Sequence, residues 1–192
     1  MKALPGMGSR PRQLTLTMVM HRSRLLLLVL AGALLLAACS STTGDGGAAG
    51  TQASGQSSPP AFSARTLSGT KIDSASFEGK PTVLWFWAPW CTVCRAEAPD
   101  VAEVAKAFKG KVDLVGVAGR AEVPAMNRFV DQTGTGGFTH AIDADGSIWA
   151  DYGVVAQPAF AFIDAKGDVS VVAGRLGSDD LTKRVQALAT VS

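Results

Sequence analysis

The chain has 192 residues, 47% of them hydrophobic and 18% charged, with a formal net charge of +2 at pH 7. No basic patch with interleaved aromatic residues occurs, so nucleic acid finds no support as a partner. There are three cysteines, and two of them lie three positions apart.

The N-terminal segment separates from the rest by composition. "LLLLVLAGALLLAAC", residues 25–39, follows the positive stretch "HRSR". So short an apolar run, closing on small residues, has the form of an export signal rather than a membrane-spanning helix. Residues 1–38 are therefore expected to be removed. A start at Met18 or Met20 would make the segment ahead of that run more compact. The tetrad "LAAC" resembles the lipobox of bacterial lipoproteins, which implies cleavage before Cys39 and lipidation of its thiol. The alternative is an ordinary secretory signal cut nearby. Several acyl chains on one residue hold a protein stably at a membrane, whereas one chain does so marginally. Five of the 18 Lys and Arg precede Cys39, which leaves 13 against 16 acids and a net charge of −3 on the processed chain.

Residues 39–60 read as a flexible tether, because "SSTTGDGGAAGTQASGQSSPP" has too little apolar surface to offset its ordering entropy. Residues 61–192 are long enough for one domain with its own core. "FSARTLSGTKID" holds two short strand-like pieces around a Ser68-Gly69 turn. "TVLWFWA", residues 82–88, is a continuous β-branched and aromatic run that suits a strand buried on both faces. From Thr92 to about Phe108 apolar residues recur at helical spacing, with a bend expected at Pro99. "KVDLVGVAG" is a second buried strand. "EVPAMNRFVDQTG" is a helix with Pro124 in its first turn and Gly134 at its stop. "DADGSIWADYGV" carries a turn and a short helical piece. "AFAFIDAKGDVSVVAG" reads as a hairpin, and "SDDLTKRVQALAT" as a closing helix with two acids in its first turn. The order βαβαββα predicts an α/β fold: one central mixed β-sheet flanked by helices, with an N-terminal strand extension.

Cys91 falls just past the first long strand, at the start of a helix, with Cys94 one turn on. Helix geometry puts such Cα atoms about 5 Å apart, within reach of a disulfide. Three chemistries compete for the pair. Tetrahedral zinc needs four ligands, and the processed domain adds only His140 and carboxylates. A structural disulfide normally closes a long loop, whereas this one would close a single turn. A redox pair accounts for both spacing and position, since unsatisfied N–H groups at a helix start favour a Cys91 thiolate.

"FWAPWCTVC" followed by "RAEAP", with Gln157-Pro158 before a strand, resembles the thioredoxin superfamily. The ordered set "FSARTL", "GKPTVLWFWAPWC", "VGVAG", "VPAM", "DGSIWADYGV" and "QPAFAFID" is similar to the extracytoplasmic thiol-disulfide oxidoreductases of the actinobacterial DsbE/DsbF type, within the TlpA/ResA-like branch. The resemblance implies a thioredoxin-like fold, with Cys91 as the attacking and Cys94 as the resolving cysteine. It implies Trp87 and Trp90 framing the site, Pro158 as a cis-proline facing the disulfide, and a Gln157 backbone able to pair with an extended substrate. Glu97 matches an acidic position of the branch and would take the proton of Cys94. The residue six before the first cysteine, an Asp in cytoplasmic thioredoxins, is Trp85 here, and the intervening dipeptide is Thr92-Val93 without proline or histidine.

The function so implied is a lipid-anchored, extracytoplasmic oxidoreductase that exchanges disulfides with exported cysteine-containing proteins and is reset by a membrane redox partner, without a cofactor or metal. Oxidation of substrates is the preferred direction, from the resemblance. A reductase of the cytochrome c maturation type would use the same cysteines in reverse. A non-catalytic lipoprotein binding metal or a partner, or a peroxidase of the peroxiredoxin type, would use the pocket differently.

Overall fold

The computed structural model describes residues 58–190. The expected signal, Cys39 and most of the tether lie outside the described residues.

β3 (Thr82–Trp87) is the central strand, and all six of its residues are buried. It pairs in parallel with β4 (Asp113–Gly119) and antiparallel with β6 (Ala159–Ile163). β5 (Thr139–Asp143) lies parallel beside β4, and β7 (Val169–Ala173) antiparallel beside β6, giving the order β5-β4-β3-β6-β7. A strand with helices on both sides has no solvent face, which is why "TVLWFW" shows no alternation. Each large apolar side chain so buried contributes about 1.5–3 kcal/mol.

Alternation along β3 sorts its side chains between the two layers. Trp85 and Trp87 contact Phe129 of α2 (Val123–Thr133), and Trp85 also reaches Glu97 of α1 (Thr92–Ala107). Phe86 points the other way, against Trp149 of α3 (Ser147–Asp151) and Tyr152. Helix α4 (Ser178–Thr190) packs beside α1, with the Arg184 guanidinium over Phe162. The N-terminal extension is a separate antiparallel pair, β1 (Ser63–Arg65) and β2 (Lys71–Asp73), turning at Gly69 with φ 85°. It joins the sheet edge through the Thr66–Ala141 bridge and a Leu67 N–H donated to the His140 carbonyl at 2.9 Å.

One detail differs from the sequence reading. β5 is an additional strand, absent from the order βαβαββα. Its "THAID" reads as polar because His140 and Asp143 are buried and find their partners inside the fold. Helix α1 continues without a break through Pro99, the residue at which the sequence leads one to expect a bend. That proline is exposed, so the carbonyl it leaves unbonded one turn earlier can be solvated.

Candidate active site

Where β3 ends, Ala88, Pro89 and Trp90 carry the chain to Cys91, the N-cap of α1. The Cys91 sulfur accepts a hydrogen bond from the Cys94 N–H at 3.0 Å, the role a serine or aspartate oxygen usually has at this position. The two cysteines are joined in a disulfide, with Cα atoms 5.3 Å apart. Cys91 is 6% exposed and Cys94 not at all, so of the two residues only Cys91 reaches the surface. Among the described residues no group of three His, Cys, Asp or Glu is placed to hold a metal ion.

The Gln157–Pro158 peptide bond is cis. Because Phe86 pairs with Ala159, Pro158 lies at the same end of the sheet as the segment leading to Cys91. Its carbonyl accepts from the Gly174 N–H at 2.8 Å, which holds the bend against β7. Gln157 is half-buried, and no hydrogen bond engages its backbone among the described residues.

Glu97 is fully buried one turn beyond Cys94. Its Oε1 accepts from the Trp85 indole N–H at 2.8 Å, while Oε2 has no hydrogen-bond partner among the described residues. Burial raises its pKa from the ordinary 4.5 to about 7. The Trp85 bond, the Leu176 N–H and the Arg175 charge oppose that rise, though the Leu176 N–H completes no hydrogen bond of good geometry. Arg175 is itself paired with Asp100 at 3.6 Å. Trp85, the departure from the cytoplasmic thioredoxin pattern, thus holds a carboxylate supplied by α1.

The two tryptophans expected to frame the site part company. Trp87 is fully buried, stacked on Phe129 at 4.2 Å between ring centroids, and donates its indole N–H to His140 Nδ1 at 3.2 Å. It has no surface to offer a substrate, and the expectation that it binds one is corrected accordingly. It packs beneath the site because position 87 faces the helical layer, as position 85 does. Trp90 is 58% exposed and donates to the Arg120 carbonyl at 3.3 Å. Arg120 holds a positive φ of 56°, an uncommon conformation for a residue with a side chain.

In the sequence His140 stands out only as a candidate zinc ligand. Its Nε2 faces the Thr135 carbonyl at 2.9 Å and so carries the proton, leaving Nδ1 to accept from Trp87. Burial lowers its pKa to about 4, against the pull of the Thr135 carbonyl. Nothing in "FTHAID" signals this pairing across 53 residues. Among the described residues the exposed large apolar side chains are Trp90, Val93 and Val155. Each is within three residues of Cys91, Cys94 or Pro158 in the chain.

A thioredoxin-like fold with a cysteine pair at this helix start defines a class, the thiol-disulfide oxidoreductases. The profile of the AhpC/TSA family matches residues 56–172, and the chain belongs to that family. It is 49% identical over 130 residues to the soluble secreted antigen MPT53 of Mycobacterium tuberculosis, covering 66% of this chain and 74% of that one. Among solved structures, MTB dsbF in its mixed oxidized and reduced forms is 53% identical with a TM-score of 0.65, covering 66% of this chain and 94% of that one. A secreted Mycobacterium tuberculosis disulfide oxidoreductase homologous to E. coli DsbE is 49% identical with a TM-score of 0.63, over 66% and 96% of the two chains. The activity is thiol-disulfide oxidoreduction of the DsbE/DsbF type, with Cys91 and Cys94 as the cysteine pair.

Proposed function

We propose that this protein oxidises exported cysteine-containing polypeptides on the outer side of the cytoplasmic membrane, with Cys91 as the exchanging sulfur. The observation that carries the reading is the asymmetric exposure of a disulfide at a helix N-terminus. A substrate thiolate attacks the Cys91 sulfur, and the Cys91–Cys94 bond breaks. Cys94 leaves as a thiolate and takes a proton, for which the protonated Glu97 carboxyl is the buried donor nearest in the chain. A second substrate thiolate then attacks the substrate sulfur of the mixed disulfide. The substrate leaves oxidised by two electrons, and Cys91 and Cys94 remain as a dithiol for a membrane redox partner to reoxidise.

The cis bend at Pro158 and the unengaged Gln157 backbone support an extended substrate strand at this point, with Trp90 as an apolar shoulder. The secreted relatives support an extracytoplasmic location. Among the described residues no helix is long and apolar enough to cross a membrane. The domain then spans residues 61–192, on a tether of residues 39–60, with a lipidated Cys39 as the anchor once the signal of residues 1–38 is removed. Cys39→Ser should release the protein from the membrane fraction. If it stays membrane-bound, the lipid-anchor reading fails.

The deciding experiment is the reduction potential of the Cys91–Cys94 couple, with Cys91→Ser as its control. Cys91→Ser should lose exchange down to the uncatalysed background. A potential of about −120 to −180 mV sustains the oxidising direction. A value near or below about −270 mV overturns it in favour of a reductase using the same cysteines in reverse.

A further inference from the structure

Beside the disulfide, where α1 meets α2, lies a cavity of about 250 Å³ lined by Pro89, Trp90, Arg95, Arg128, Phe129 and Gln132 among others. Two arginines line it and no acidic residue does, although acids outnumber bases in the chain beyond Cys39. Arg95 is already fixed in place. It donates to Gln132 Oε1 at 3.0 Å and to the Pro89 carbonyl at 3.3 Å, and its guanidinium lies over the Phe129 ring at 4.9 Å. All three partners are uncharged, so the arginine is oriented while its charge stays uncompensated. The single ion pair among the described residues, Arg175 with Asp100, involves neither groove arginine. An immobilised guanidinium loses little further freedom when it meets an anion, and its fork matches a carboxylate.

The groove is also placed to act on exchange. Trp90 immediately precedes Cys91, and Arg95 follows Cys94, about one helical turn from Cys91. We infer that this groove selects substrate polypeptides carrying an acidic residue close to the reacting cysteine, whose carboxylate pairs with Arg95 and Arg128. The inference rests on the proposed reading of Cys91 as the sulfur exchanging with polypeptides. Its volume suits one or two side chains of an extended segment. Such a contact would speed productive encounter and disfavour substrates with a basic residue there.

The test uses the full-length protein and three dithiol peptides identical except for Asp, Asn or Lys beside the first cysteine. The apparent second-order rate constant for reduction of the Cys91–Cys94 disulfide is read by thiol trapping at low and high salt. Dithiothreitol, small and uncharged, reports the exchange chemistry separately. The Asp peptide should react about three- to fivefold faster than the Asn peptide, the range of an exposed ion pair, and the Lys peptide slower than both. High salt should compress the series. Arg128→Gln should bring the Asp-to-Asn ratio toward one, and Arg128→Lys should restore part of it. Equal rates for the three peptides, or an Asp preference unchanged in Arg128→Gln, would overturn the inference. Failure to react even with dithiothreitol would overturn the underlying reading of the cysteine pair, and the inference with it.

Discussion

Two residues apart on β3, Trp85 and Trp87 each direct an indole N–H at a buried titratable group, the first at Glu97 and the second at His140. Burial favours the neutral form of both, raising the carboxyl to about 7 and lowering the imidazole to about 4. The difference lies in what remains unpaired. His140 has both ring nitrogens engaged, and near neutrality it has no reason to change state. Glu97 keeps an oxygen without a hydrogen-bond partner among the described residues, one helical turn beyond Cys94, at a pKa where gaining or losing a proton costs little. A buried titratable group is equipped for proton transfer when its hydrogen bonding is incomplete, and for packing when it is complete.

Glu97→Gln offers the sharpest way to break this contrast. The amide still accepts from Trp85 but holds no exchangeable acid proton, so the exchange rate should fall about 10- to 100-fold. The inflection near pH 7 in its rate profile should vanish. The stability effect has the opposite sense. Because the folded pKa lies above the ordinary 4.5, the stabilisation is complete below that pH and is lost as pH rises through about 7. Denaturation at pH 9 should therefore show the Gln variant more stable by roughly 2 kcal/mol, with the gap closing toward pH 4.5. A profile unchanged by the substitution would leave Glu97 with a structural role only.

Gly116→Ala attacks the other group. A Cβ there would overlap His140 Nδ1 and come within 2.8 Å of Trp87 Nε1, so the pair must separate. Chemical denaturation should show a loss of about 3 kcal/mol. His140→Leu leaves the Trp87 N–H and the Thr135 carbonyl without partners, at a cost of about 2 kcal/mol at pH 7, while exchange stays within about twofold of wild type. The folded His140 pKa is depressed from 6.5 to about 4, so its contribution is present above pH 6.5 and lost as pH falls toward 4. Acid titration of stability should show that loss in wild type and not in the Leu variant. If His140→Leu instead abolished exchange, the contrast between the two groups would collapse. Trp85→Phe has the smallest expected effect, about 1 kcal/mol of stability. Since the Trp85 bond lowers the Glu97 pKa, its loss should move the rate inflection upward, which a pH series would detect.

Much of the fold was legible in the chain because it rests on local signals. The burial of β3 follows from an uninterrupted apolar run, the cap of α2 from Gly134 in the left-handed region, and the hairpin from β6 to β7 from its polar turn. β5 was not legible, because a strand with buried polar residues carries no hydrophobic period until its partners are known. The site divides in the same way. The Cys91–Cys94 spacing and the start of α1 are local, whereas the cis bond at Gln157–Pro158 was expected only through the family resemblance, since most X-Pro bonds are trans.

What the sequence by itself determined is therefore the chemistry: a cysteine pair one turn apart at a helix start, after a buried strand, limits the reactions to a few. What only the tertiary structure decided is the surroundings of that chemistry. Trp87 lies below the site rather than beside it, Trp85 holds Glu97, and His140 closes a pairing across 53 residues. Spacing along one element is set by the geometry of that element, whereas contacts between elements depend on how distant strands and helices pack, which no local pattern encodes.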